Sequence, residues 1–289
     1  MNSFSRATVI IVCLSFVLAG MACAQQPSGT NPQALPKVTL AGSELRTMKS
    51  TSTGRDYDLY IHIPSDYGQN KTKKYPVLYI LDGQWDFKLM DSVLGGLVYD
   101  KFGPEIILVA ITYSGENANY NDLRAMDMTP TATPQSKGSG DAAKFLIFMK
   151  TELVPFIEKN YQADPSRRML QGSSLAGLFT LYVMFNEPEY FSGYIAASPA
   201  LTYGDGYAFK MEDEYAKAHK ALPAKLFLAV GDREGLAAPV LAFMQNLRHR
   251  GYQGLKLETR VIAEEGHASN KPELFNRGLK FLFSNSSGN

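Results

Sequence analysis

Cysteine is almost absent from this chain, and both copies, Cys13 and Cys23, lie near its start. The rest of the sequence therefore has no thiol for a disulfide, a cysteine nucleophile or a thiolate metal site. A long apolar segment is also missing, because the run from Val9 to Leu18 is too short to span a bilayer comfortably. No internal repeat or low-complexity tract interrupts the body of the chain.

The chain also lacks an excess of charge of one sign. It has 29 basic and 28 acidic residues, which gives a formal net charge of +1. This balance provides no electrostatic basis for binding nucleic acid or an anionic membrane surface. We therefore expect neither of them as a partner.

The N-terminus has the pattern of a secretory signal peptide. Arg6 supplies a positive start, Val9 to Leu18 is apolar, and Ala22-Cys23-Ala24 places small residues around a cleavage site. Residues 1–24 are therefore predicted to be removed. The mature protein would begin at Gln25 and be secreted or periplasmic.

A lipid anchor at Cys23 is the alternative to simple cleavage. It is disfavoured because Gly20 stands where a lipoprotein signal normally has an aliphatic residue. Residues 25–36 are rich in Pro, Gln, Ser and Asn and are predicted to be a flexible mature N-terminus. A single domain is predicted over residues 37–285, followed by a flexible tail at 286–289.

Strand-like and helix-like patterns alternate through the body of the chain. The predicted strands are 38–48, 56–63, 75–81, 106–112, 167–172, 193–197, 225–230 and 257–263. The predicted helices are 141–161, 175–185, 236–250 and 272–283. The first two strands alternate with period two and predict an antiparallel pair, whereas continuous apolar runs predict buried central strands. The fold class is therefore α/β, with a mostly parallel eight-stranded sheet, an antiparallel start and flanking helices.

Two stretches do not fit this alternation. Tyr113–Ser139 is polar and rich in Asn, Thr and Pro, and Thr202–Leu222 combines tyrosines with mixed charge. Long insertions in a compact domain often form lids or binding loops, although surface decoration is an equal alternative.

A strand, a Gly-Ser-Ser turn and a helix-like pattern meet at residues 169–177, which is the context of a nucleophile elbow. Gly172 and Ala176 flank Ser174 two residues away on each side, giving G-x-S-x-A, and Gly177 follows. The small flanking residues suit a tight turn that exposes a serine hydroxyl. Ser174 is the predicted nucleophile, and Ser173 is predicted to be a small residue of the turn.

His267 is the candidate base among the four histidines. It follows a predicted strand and the polar turn Glu264-Glu265-Gly266, a position from which a loop can present an imidazole to the serine. His62 alternates within an early strand, and the patterns around His219 and His249 predict solvated helix faces.

The acid that orients the histidine has two candidates in one loop. Glu234 is preferred because hydrolase acids tend to lie a few residues beyond the strand end. Asp232 is the alternative, with a local turn role if Glu234 is the acid. The order serine, acid, histidine along the chain is that of α/β-hydrolases.

An oxyanion hole needs backbone N–H groups that face the developing negative charge. The predicted donors are Leu175, directly after the nucleophile, and Gln84, in the loop after the third strand. Gly83 permits a tight turn in that loop. Trp85, the only tryptophan, either walls the substrate cleft or packs in the core.

These residues belong to longer segments that resemble the Putative esterase (esterase D-like) family. The segments are 75–84, Arg124 with 127–130, 172–177, Glu187-Pro188 with Phe191, 197–199, 231–234 and 265–267. The likeness spans about residues 55–283 and is closest to secreted, siderophore-esterase-like members. The same family also includes feruloyl and acetylxylan esterases, S-formylglutathione hydrolases and mycolyltransferases.

The resemblance implies an α/β-hydrolase fold and hydrolysis of a small-molecule carboxyl ester, with no metal or other cofactor. Arg124 and Asp127 would either contact substrate or form an ion pair that pins the long loop. Ala176 departs from the usual glycine and could alter packing beside the nucleophile.

The same residues would also serve an acyltransferase, and a non-catalytic binding protein on this fold is a further alternative. A peptidase is disfavoured, because it would usually bring an additional domain.

Overall fold

The computed structural model describes residues 38–284, and in that part of the chain eight strands form one sheet with helices on both faces. The strands are β1 Ser43–Lys49, β2 Asp56–His62, β3 Tyr75–Ile80, β4 Ile107–Tyr113, β5 Ala163–Ser173, β6 Gly193–Ala197, β7 Lys225–Gly231 and β8 Lys256–Ile262. The helices are α1 Gly83–Tyr99, α2 Tyr120–Asp127, α3 Ala142–Phe148, α4 Val154–Asn160, α5 Leu175–Asn186, α6 Tyr203–Ala218, α7 Ala237–Arg250 and α8 Lys271–Phe283. The predicted signal peptide, the mature N-terminus and the C-terminal tail lie outside the described residues.

The strand order is β1-β2-β4-β3-β5-β6-β7-β8. β1 pairs antiparallel with β2, and β2 pairs antiparallel with β4, whereas every pair from β4 through β8 is parallel. This arrangement confirms the predicted sheet with an antiparallel start. Because parallel strands end at the same edge, the loops after β3, β5, β6, β7 and β8 gather at one edge of the sheet.

The central strands are buried on both sides, as their continuous apolar sequences predict. One layer of side chains packs between the sheet and helices α3 to α7, and it includes the stacked rings of Tyr57 and Phe148. A second layer packs between the sheet and helices α1 and α8. The two layers hold the sheet rigidly beneath the loops at its carboxyl edge.

Four helical features differ from the sequence expectation. Helix α1 was not among the predicted helices, and the predicted helix 141–161 is divided by a π-helical segment at Met149–Leu153. The stretches expected to be loops contain α2 and α6. Near the start of α6, Gly204, Asp205 and Gly206 are all left-handed, and the two glycines lower the helix propensity of the sequence there.

A buried ion pair fastens the long segment after β4 to the sheet. Arg55 contacts Asp127 at 2.7 Å and Asp141 at 2.7 Å, and the Tyr57 hydroxyl donates to Asp127 at 2.7 Å. Burial raises the pKa of Asp127 to about 6, although the charge of Arg55 acts to lower it. At neutral pH the carboxylate is therefore ionised, and the segment is tied to β2.

Candidate active site

Ser174 sits in a sharp turn between β5 and α5. Its φ of 62° and ψ of −119° are rare for a residue other than glycine, which marks stored strain at this position. The Ser174 N–H donates to the carbonyl of Ala197 on the neighbouring strand at 2.9 Å. The residue is half-buried, so its hydroxyl lies in a strained turn at the carboxyl edge of the sheet.

Glycine is required on one side of this turn. A Cβ at Gly172 would lie 2.2 Å from the carbonyl oxygen of Ala176. On the other side of the turn, Ala176 is fully buried. The next residue, Gly177, is the one that approaches β6 closely, because a Cβ there would lie 2.9 Å from the carbonyl oxygen of Ala197. Alanine at position 176 is therefore accommodated, and the tight contact with β6 is made at Gly177.

We expect Gly172→Ala to destabilise the fold by about 3 kcal/mol, because the added methyl group must displace backbone rather than a flexible side chain. Gly95→Ala is the matched control, because this exposed glycine lies inside α1. Among residues 38–284, and apart from its chain neighbours and the adjoining helix backbone, no atom lies within 4 Å of the Cβ that alanine would add. Alanine there should stabilise by about 0.5–1 kcal/mol. Thermal unfolding measures both, and a midpoint for Gly172→Ala within about 2 °C of the parent would contradict the predicted clash.

The structure brings His267 and Glu234 into contact. His267 Nδ1 lies 2.5 Å from Glu234 Oε2; the Glu234 side chain is only 3% exposed and that of His267 is 44% exposed. Asp232 is exposed, and within residues 38–284 its carboxylate makes no hydrogen bond. Of the two carboxylates that the sequence left in competition, Glu234 is the one that contacts the histidine.

The loops that carry this pair touch each other closely. A Cβ at Gly231 would lie 2.3 Å from the carbonyl oxygen of Glu265, so only glycine allows the loops after β7 and β8 to approach. The Arg233 N–H donates to the same carbonyl at 3.0 Å. These backbone contacts fix the loop that carries Glu234 against the loop that carries His267.

Gln84 and Leu175 each lie in the first turn of a helix, where backbone N–H groups have no helical partner. In the part of the chain that the structure describes, neither N–H donates a hydrogen bond to protein. In the loop before α1, Asp82 is left-handed with φ 56°, and a Cβ at Gly83 would lie 3.0 Å from Ala110. Both predicted oxyanion donors thus belong to helix N-termini that follow adjacent strands, β3 and β5.

Arg124 forms a nearly buried ion pair with the loop between β3 and α1. Its guanidinium donates to Asp82 Oδ1 at 2.8 Å and Oδ2 at 2.6 Å, and to the carbonyl of Ser173 at 3.3 Å. Burial acts to lower the pKa of Arg124, but the hydrogen bonds and charge of Asp82 raise it overall. The ion pair therefore joins α2 to the loop after β3. Asp127 pairs with Arg55 and not with Arg124, so the sequence identified ion-pairing residues but not their partners.

Trp85 is 45% exposed, which excludes the core-packing alternative. Its ring lies 5.5 Å from the Arg124 guanidinium carbon and meets Tyr120 edge-on at 6.3 Å. The indole therefore lies at the surface, next to Gln84 in the first turn of α1.

The structure also contains polar contacts that sequence reasoning missed. Lys271 Nζ lies 2.6 Å from Asp86 Oδ1, joining the first turns of α8 and α1. Burial raises the pKa of Asp86, and Lys271 opposes that shift. Ser198 and Asn270 contact Glu234. No local pattern marks these residues, although Ser198 lies in one of the segments that carried the family resemblance.

The other histidines lie elsewhere. His62 Nδ1 is 2.7 Å from Asp91 Oδ1, the His219 ring lies 4.4 Å from the Tyr215 ring at a tilt of 31°, and His249 is exposed. Among residues 38–284 no group of three His, Cys, Asp or Glu side chains is arranged to hold a metal ion. Within the same range, no helix has the length and apolar content needed to cross a bilayer.

The sheet order, its flanking helices and the strained serine turn between β5 and α5 define an α/β-hydrolase. The family model described as Putative esterase matches residues 50–250, and the chain belongs to this family. It is accordingly a carboxylic-ester hydrolase, and the resemblance inferred from the sequence is confirmed.

Relatives and solved structures point to one branch of the family. The chain is 30% identical over 279 residues to the ferri-bacillibactin esterase BesA of Bacillus subtilis, covering 89% of this chain and 95% of that protein. It is 31% identical over 162 residues to an apo-salmochelin esterase of Escherichia coli, covering 53% of this chain and 49% of that protein. The BES protein from Bacillus cereus superposes with a TM-score of 0.78 at 26% identity, covering 87% and 98% of the two chains.

Proposed function

We propose that this protein is a secreted serine esterase that hydrolyses siderophore-type or other bulky carboxyl esters through an acyl-enzyme. The contact between His267 and the buried Glu234 carries the proposal, together with the strained turn that presents Ser174. A histidine held by a carboxylate is the arrangement that activates a serine hydroxyl.

In the first half of the reaction, His267 takes the proton of the Ser174 hydroxyl as its oxygen bonds to the ester carbonyl carbon. The electron pair of the carbonyl moves onto its oxygen, and the N–H groups of Leu175 and Gln84 stabilise that charge. Collapse of the intermediate breaks the bond to the alcohol, which leaves with the proton from His267. Glu234 keeps the imidazolium oriented throughout.

In the second half, water attacks the acyl group on Ser174 and gives a proton to His267. The second collapse breaks the bond to the serine oxygen, which takes the proton back, and the carboxylic acid leaves. An alcohol in place of water would give acyl transfer with the same residues, so product analysis must distinguish hydrolysis from transfer.

The openness of the site supports a bulky substrate. His267 and Trp85 are both about half exposed, and Trp85 offers an aromatic face beside the oxyanion loop. The named activities of the relatives, ferri-bacillibactin and apo-salmochelin esterases, supply the substrate class. Trp85 would contact the substrate, with Arg124 holding the loop beneath it. Secretion rests on the signal-peptide pattern of residues 1–24, with the lipid anchor at Cys23 as the alternative.

Ester hydrolysis by the mature chain tests this proposal. The substrates are p-nitrophenyl esters from acetate to octanoate and a cyclic catecholate trilactone, each with and without an added alcohol. We expect release of free acid, with a kcat/KM at least about tenfold higher for the trilactone, because contacts remote from the reacting bond contribute to the transition state. Equal turnover of small and bulky esters would contradict the substrate class, and a dominant transfer product would contradict hydrolysis.

A further inference from the structure

Asn270 occupies the N-cap of α8 but does not cap it. Asparagine is favoured at this position because its side-chain oxygen accepts a hydrogen bond from the first turn of the helix. In this structure the side chain makes no capping bond, although the residue is fully buried. The usual local reason for an asparagine at this site therefore does not apply.

The side-chain amide of Asn270 points instead at Glu234. Its Nδ2 donates to Glu234 Oε1 at 2.9 Å and to the Ser198 hydroxyl at 2.9 Å. Ser198 in turn donates to Glu234 Oε1 at 2.6 Å. The orientation of the amide follows from these partners, because the reverse orientation would set its oxygen against a carboxylate.

This orientation leaves another atom unsatisfied. Within the described part of the chain, Asn270 Oδ1 is buried and has no hydrogen-bond partner. A buried acceptor without a partner is unfavourable for folding. Within residues 38–284, the Asn270 side chain thus contacts Glu234 but neither caps the helix nor has a hydrogen-bond partner for its oxygen. A residue that breaks local rules in this way is typical of functional sites.

The two oxygens of Glu234 are used differently. Oε1 accepts from Ser198, from Asn270 and from the Gly231 N–H at 2.7 Å, whereas Oε2 faces His267. Three donors on one oxygen, which come from the ends of β6 and β7 and from the loop after β8, prevent rotation of the carboxylate. Oε2 is thereby held toward the imidazole.

We infer that Asn270 and Ser198 are positioning residues that act on catalysis through Glu234. The inference rests on the proposed function, because it requires Glu234 to orient His267. Asn270 lies three residues after His267, so one loop carries both the base and a group that orients the acid. Ser198, directly after β6, donates a second side-chain hydrogen bond that holds Glu234.

Asn270→Ala is expected to lower kcat by about 10²-fold with little change in KM, because a misplaced acid mispositions the imidazole. Its unfolding midpoint should stay within about 4 °C of the parent, since the lost hydrogen bonds are offset by removal of the unpartnered oxygen. Asn119→Ala is the matched control, because Asn119 caps α2 by accepting from the Asp122 N–H. It should lower the midpoint by about 2–4 °C and leave kcat unchanged.

Two further variants test the same inference if Asn270→Ala does not fold. Asn270→Asp keeps the shape but sets an acceptor against the Glu234 carboxylate, so it should lower kcat at least as much as alanine. Ser198→Ala removes the other side-chain donor and should lower kcat in the same direction. Normal turnover by folded Asn270→Asp would overturn the inference, since a side chain that only fills space would tolerate this change.

A double-mutant cycle with Glu234→Gln separates this inference from the proposed function. If Asn270 acts through Glu234, adding Asn270→Ala to Glu234→Gln should cause little further loss of kcat. Full multiplication of the two losses would overturn the positioning role. Unchanged turnover by Glu234→Gln alone would instead contradict the proposed triad, whereas an impaired Glu234→Gln beside an active Asn270→Ala would contradict only the positioning role.

Discussion

Replacing Ser174 with alanine is expected to lower kcat by about 10⁴-fold or more while leaving the fold intact. The change removes only the hydroxyl that attacks the ester in the proposed mechanism. Stability should be retained, because serine and alanine both carry a Cβ and share the strain at φ 62°. The turn also holds Ser174 by its backbone, through the N–H bond to Ala197, and that bond does not depend on the side chain.

Ser173→Ala is the control for this variant, because Ser173 is the adjacent serine and its hydroxyl is buried. Its turnover should remain close to that of the parent. A fluorophosphonate probe should label the parent and Ser173→Ala at Ser174, as located by peptide mass spectrometry, and should fail to label Ser174→Ala. Retained hydrolysis by Ser174→Ala, or labelling at another residue, would refute the assignment of the nucleophile.

Glu234→Gln should lower kcat by about 10²- to 10⁴-fold, the second largest effect expected. Glutamine preserves the shape, and its oxygen can keep the three donors that now contact Oε1. Its NH₂ group then faces His267 Nδ1, which must be unprotonated to accept from it. The proton moves to Nε2, and the histidine can no longer take the proton of Ser174.

Asp232→Asn changes the other carboxylate of the same loop, which is exposed and is not the one in contact with His267. The initial rate of ester hydrolysis by purified Asp232→Asn should match the parent over the same substrate range. A large loss in Asp232→Asn beside an active Glu234→Gln would reverse the assignment of the acid. Circular dichroism of both variants separates a catalytic effect from unfolding.

The sharp turn at Ser174 and the sheet could be predicted from the sequence because their signals are local. Strand patterns and the small residues around Ser174 lie within a few positions of one another, and the resulting geometry follows from sterics. Helix α1 was missed because Gly95 and Gly96 weaken its helical pattern. Helix α6 was missed because Gly204 and Gly206 weaken the helical pattern at its start, where the structure has three left-handed residues.

The contacts around Glu234 could not be predicted, because they join residues that are far apart in the sequence. Ser198, Glu234 and Asn270 come from three different connections, and only the completed sheet brings them together. The same holds for Arg124 and Asp82, and for Lys271 and Asp86. A charged residue in a sequence indicates that a partner is needed, but the topology decides which residue the partner is.

The segment between β8 and α8 also governs how the enzyme would lose activity under stress. Among residues 38–284, β8 is an edge strand and pairs with β7 alone. The loop after it carries His267 and Asn270, and Lys271 begins α8. Local opening of an edge element requires less free energy than global unfolding. Fraying of this segment would displace His267, the proposed base, together with the contact of Asn270 to Glu234 and the bridge from Lys271 to α1. We therefore expect inactivation to precede melting of the central sheet.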